Sequence, residues 1–62
     1  MGLSKEKNRT DILLIEDEPD LGEVFSRYLR YKGFSVIWEC TAKGGLEAFV
    51  ECTAKLVIID VQ

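Results

Sequence analysis

Ile12-Leu13-Leu14-Ile15-Glu16-Asp17-Glu18-Pro19 decides how the rest of the chain is read. Four consecutive branched apolar residues suit a strand covered on both faces, although such a run cannot by itself be told from buried helix. Pro19 settles the choice, because proline is comfortable in a first helical turn and ends whatever precedes it. Glu18, Asp20 and Glu23 place negative charge around that turn, where the helix dipole favours it. The segment therefore reads as a strand that discharges acidic residues directly into a helix amino terminus.

Working outward, Leu21, Val24, Phe25, Tyr28 and Leu29 recur at helical spacing and are expected to face the core. Arg27, Arg30 and Lys32 crowd the far end, and Gly33 is the expected stop. Phe34, Val36 and Trp38 then alternate with Ser35, Ile37 and Glu39, the period of a second strand. Trp38 and Tyr31 are expected to pack at edges. Thr41 can cap a second helix from about Ala42 to Cys52, with Leu46, Phe49 and Val50 on one side. Gly44-Gly45 makes it the weakest element, at a cost of about 2 kcal/mol relative to two alanines. Ala54 or Lys55 leads into a last apolar run, Leu56-Val57-Ile58-Ile59-Asp60-Val61-Gln62.

Strands alternating with helices imply parallel strands joined by right-handed crossovers. A second crossover that returns across the first strand gives the order 2-1-3 with one helix on each face. The switch point then falls between the first and third strands, where such sheets bind ligands. Glu16, Asp17 and Asp60 are expected to converge there. Clustered carboxylates repel one another unless a cation or a proton intervenes, and oxygen ligands alone suit a hard cation such as Mg²⁺. A carboxylate beside that ion can accept a phosphoryl group, since the metal offsets charge on both reacting partners.

Composition narrows the alternatives. Sixty-two residues make at most one small domain, near the size at which a core needs outside help. The apolar runs are too short for a membrane span of about 20 residues. Net charge is -3 with no histidine, which argues against direct nucleic-acid binding and leaves no imidazole for acid–base work. Cys40 and Cys52 form no C-x-x-C pair and read as small, partly buried thiols in a reducing cytoplasm. Met1 to Thr10 reads as a flexible polar leader without a signal peptide, and Glu6 stands where myristoylation would need Ser or Thr.

The constellation resembles the receiver domain of two-component response regulators, the family of the chemotaxis response regulator. Ile12 to Asp20 looks like that family's first strand and acidic pair, Tyr28-Leu29 through Gly33-Phe34 like the end of its first helix, and Leu56 to Val61 like its third strand with the phosphoacceptor aspartate. The spacing from Asp17 to Asp60 fits without gaps. The resemblance implies the N-terminal half of a flavodoxin-like α/β fold over residues 11–62. It also implies that Asp17 binds Mg²⁺ directly, Glu16 directly or through water, and Asp60 as both ligand and phosphoacceptor. The backbone carbonyl of Gln62 would complete the set. A histidine kinase or phosphotransfer protein would be the phosphate donor, in a signalling module rather than an enzyme.

Glu16 stands where the family commonly has Asp. The family's fourth-strand hydroxyl, fifth-strand lysine and switch aromatic have no counterpart in these residues, so impaired phosphorylation is expected. Two other classes compete. An aspartate-nucleophile, Mg²⁺-dependent phosphohydrolase would place a second aspartate two residues beyond Asp60, where Gln62 stands. A non-catalytic half-domain assembly fragment would keep the site without the chemistry. A third strand at a sheet edge further implies a homo-oligomer through that strand.

Overall fold

The computed structural model describes residues 8–60 and has the order strand, helix, strand, helix, strand. Strand β1 (Asn8–Glu16) lies at the centre of a three-stranded parallel sheet. It is flanked by β2 (Val36–Glu39) and β3 (Cys52–Asp60), giving the order 2-1-3. Helix α1 (Pro19–Tyr31) and helix α2 (Ala42–Glu51) are the two crossovers. The side-chain period of two sorts β1 and β3 between them. Leu14 and Ile58 line one face with Phe25, Tyr28 and Leu29 of α1, while Leu13, Ile15, Val57 and Ile59 line the other with Leu46 and Phe49 of α2.

The core sits on β1. Ile12, Leu13, Leu14 and Ile15 are all buried, because β1 alone has a strand on each side and a helix over each face. This is why its sequence is continuous rather than alternating. Val36 and Cys52 add to the core, so Cys52 is a buried thiol while Cys40 is exposed.

Local signals place the helix ends where the sequence indicates. Pro19 opens α1, and Glu18 caps it by accepting from the Asp20 amide at 3.3 Å. Gly33 follows with φ of 101°, a left-handed turn that side chains with a Cβ rarely adopt. Thr41 caps α2 through its hydroxyl oxygen, which accepts from the Gly44 amide at 2.9 Å. Arg30 reaches past the helix end and donates to the Val36 carbonyl at 3.0 Å.

Four expectations change. First, β1 begins at Asn8, so residues 8–10 of the expected leader are strand; residues 1–7 of that leader lie outside the described residues. Second, β3 begins at Cys52 rather than at Ala54 or Lys55, and α2 ends at Glu51. Third, β2 starts at Val36, and Phe34 is left exposed before it. Fourth, the apolar face of α1 is not core throughout. Gly22 and Ser26 are its buried residues, Leu29 is half-buried, and Phe25 and Val24 stay 39% and 57% exposed.

The glycine pair has a packing reason that outweighs propensity. A Cβ on Gly45 would collide with the buried side chain of Ile15, so this glycine is what lets α2 lie close against β1. Gly22 performs the same service for Trp38, whose ring occupies the space a Cβ would need. We expect Gly45→Ala to lower stability by about 1 to 2 kcal/mol, overpacking exceeding the propensity gain of about 1 kcal/mol. Urea unfolding of the two chains measures the difference, and a stabilised variant would mean that Ile15 repacks at no cost.

Candidate functional site

At the carboxyl ends of the strands, parallel pairing sets Glu16 directly opposite Asp60 across the β1–β3 ladder. The same register runs through the apolar residues below, where Ile12 to Ile15 pair with Leu56 to Ile59. The two acidic groups therefore meet at the top of a continuous ladder. Asp17 follows Glu16 at the surface, and its charge also acts on Glu16.

The three carboxylates have different environments. Asp17 and Asp60 are exposed, whereas Glu16 is 0% exposed. Its Oε2 accepts from the Glu18 amide at 3.1 Å, tying the strand end to the cap of α1. Its carbonyl accepts from Trp38 Nε1, also at 3.1 Å, so the indole bridges β2 and the end of β1 while resting against Gly22. Trp38 thus acts as a clamp on the site's backbone, a role that its edge position in the sequence did not reveal. Tyr31 stays on the surface.

Glu16 Oε1 is buried without a hydrogen-bond partner. The Glu18 amide favours the charged carboxylate, but burial, the proximity of the Asp60 carboxyl and the charge of Asp17 together outweigh it. The Glu16 carboxyl is consequently held above its ordinary range. A proton on Glu16 would make its carboxyl a donor, whereas the ionised group leaves Oε1 without a partner. A cation beside Oε1 would meet the same need.

Among the described residues, no group of three or more His, Cys, Asp or Glu is arranged to hold a metal ion. What the fold assembles is the Glu16–Asp60 pair with Asp17 adjacent; Gln62, the expected carbonyl ligand, lies outside the described residues. The opposite end of the sheet has contrary electrostatics. There Asp11 accepts from the Ser35 amide at 2.9 Å and pairs with Lys55 at 3.5 Å, and these contacts, the Ser35 hydrogen bond first, hold its carboxyl below the ordinary range. Comparison of the chain with protein-family models, characterised proteins and solved structures gave no significant match.

The two shifts have opposite signs in the pH dependence of stability. Glu16, raised in the folded state, contributes stability that is complete below its ordinary value of 4.5 and is lost as pH rises through the raised value. Asp11, lowered, contributes stability that is present above 3.8 and lost as pH falls below it. We expect urea midpoints to decline from mildly acidic toward neutral pH in the unmodified chain. Glu16→Gln should flatten that limb and Asp11→Asn should flatten only the acid limb. An unchanged neutral limb in Glu16→Gln would show that Glu16 ionises without strain.

Proposed function

We propose that this chain is a phosphoacceptor module of the receiver type, working in the cytoplasm, in which Asp60 takes a phosphoryl group from a histidine kinase or phosphotransfer protein with Mg²⁺. One observation carries this reading: a wholly buried Glu16 carboxylate with an orphaned oxygen stands in register with an exposed aspartate at the switch point of a parallel sheet. A purely capping carboxylate would have no need of a second acid beside its unpartnered oxygen.

The donor set fits Mg²⁺. It is all oxygen, and that ion is commonly held by one or two carboxylates together with waters and a phosphate oxygen. Glu16 and Asp60 would supply the carboxylates and Asp17 a nearby negative charge; Gln62, the carbonyl that the resemblance implies, lies outside the described residues. When bound, the ion offsets the charge of the incoming phosphoryl group. The remaining work belongs to the chain. Exposed Asp60 presents an oxygen to phosphorus; the new O–P bond forms as the P–N bond to the donor imidazole breaks, the nitrogen then taking a proton from solvent. Glu16, anchored by the Glu18 amide, holds its charge in place without rotating toward solvent.

We expect two results. Mg²⁺ at about 10 to 100 times its dissociation constant should stabilise the folded chain by about 1 to 3 kcal/mol at neutral pH, an effect lost in Asp60→Asn. Incubation with acetyl phosphate and Mg²⁺ should give slow, partial phosphorylation of Asp60 by intact mass, at a rate set by how well the equatorial oxygens are stabilised. An equal Mg²⁺ response in Asp60→Asn, or complete absence of the adduct, would overturn the proposal. Multiple-turnover release of phosphate would favour the hydrolase instead.

A further inference from the structure

We propose that Trp38 is a positioning residue for Asp17, acting through the peptide group that joins Glu16 to Asp17. The inference rests on the phosphoacceptor reading for the ion that Asp17 would face, Mg²⁺, but not for how Asp17 is held.

The two strands that flank β1 stop at different heights. Pairing with β2 ends at Ile15 opposite Glu39, whereas pairing with β3 continues to Glu16 opposite Asp60. The Ile12 amide donates to the Ser35 carbonyl, so the period of two turns the peptide groups of Leu14 and Glu16 toward β2 as well. The Glu16 carbonyl therefore points to the β2 side, one level past the last β2 pair. Trp38 fills that gap from its place opposite Leu14, its Nε1 donating to the carbonyl at 3.1 Å. This oxygen belongs to the peptide that precedes Asp17. The peptide that follows Asp17 is fastened too, because its N–H, on Glu18, donates to Glu16 Oε2 at 3.1 Å. Asp17 is exposed, yet the peptide planes on both sides of it are held.

Ending a strand and starting a helix do not by themselves call for this arrangement. Water can satisfy a carbonyl at a strand end, and the α1 cap is made by Glu18, whose side chain accepts from the Asp20 amide. The indole also has a cost in α1. A Cβ on Gly22 would fall on the indole ring, Nε1 included, so α1 keeps a buried glycine there although glycine is among the least favourable residues inside a helix. The ring is thus seated between Gly22 and the cluster of Ile12, Leu14 and Val36, a rigid base from which to hold the Glu16 carbonyl. A carboxylate whose backbone is already fixed loses less freedom on taking a ligand. That gain is what a bare strand end would lack.

Trp38→Phe keeps an aromatic ring on the core and removes the donor. Amide exchange of the full chain without metal is the first readout. We expect the Glu18 amide of Trp38→Phe to exchange about three- to tenfold faster relative to the slow amides of β1, the effect of one net hydrogen bond. Gly22→Ala, which leaves the donor but takes the ring's place, should do the same. Leu29→Val trims a side chain packed on the same cluster and should not. Calorimetric titration with Mg²⁺ alone is the second readout, and its dissociation constant should rise by a similar factor of about three to ten in Trp38→Phe and Gly22→Ala only. Equal acceleration of the Glu18 and β1 amides in Trp38→Phe would make Trp38 a packing residue and overturn the inference. So would an unchanged Mg²⁺ affinity in Trp38→Phe when the unmodified chain binds the ion. Selective acceleration in a chain that binds no Mg²⁺ would instead overturn the phosphoacceptor reading and leave the positioning of Asp17 standing.

Discussion

The parallel pairing of β1 with β3 is the constraint on which the rest depends. Ile12 to Ile15 are buried on both faces only because β3 closes one side of β1, β2 closes the other, and the crossovers lie above and below. That same ladder leaves no freedom at its top, where Glu16 must stand beside Asp60. The ladder thus holds like charges in a proximity that electrostatics alone would oppose. Burial of four core side chains, at about 1.5 to 3 kcal/mol each, is large enough to hold it.

The outline of this arrangement was legible because its signals are local. A continuous apolar run, Pro19 among acids, Gly33 after a basic end and Thr41 before a helical segment each act within a few residues, and each does in the fold what its chemistry suggests. The strand order also followed, since right-handed crossovers leave few choices. Strand beginnings were harder to see. Asn8, Arg9 and Thr10 look like leader because they are polar, yet they pair through their backbones with Cys52, Thr53 and Ala54. Asp11 and Ser35 then lock the start of β2 by exchanging two hydrogen bonds, a contact 24 residues long in sequence.

What could not be read was what depends on neighbours. Gly45 is poor helix material until Ile15 is seen beneath it, and Gly22 is unremarkable until Trp38 lies over it. Helical periodicity marked Val24, Phe25, Leu46 and Phe49 as a core face, but periodicity reports which side is apolar, not whether anything covers it. The sequence likewise named three carboxylates without ranking them. Burial separates them, placing Glu16 inside with one oxygen orphaned and leaving Asp17 and Asp60 at the surface.

Glu16 also shows why the longer acid suits this position. One carboxylate oxygen turns back to accept from the Glu18 amide two residues on, while the other is buried without a partner. The residue therefore belongs to both the helix start and the acidic pair. Glu18 in turn caps α1, and the Glu16 carbonyl receives Trp38 from β2, so three elements meet at one residue. A proton or cation gained at Oε1 would relieve repulsion at a point where α1, β1 and β2 are all fastened. Glu16 thus joins the acidic pair to the α1 cap and to Trp38 by hydrogen bonds that lie outside the apolar core.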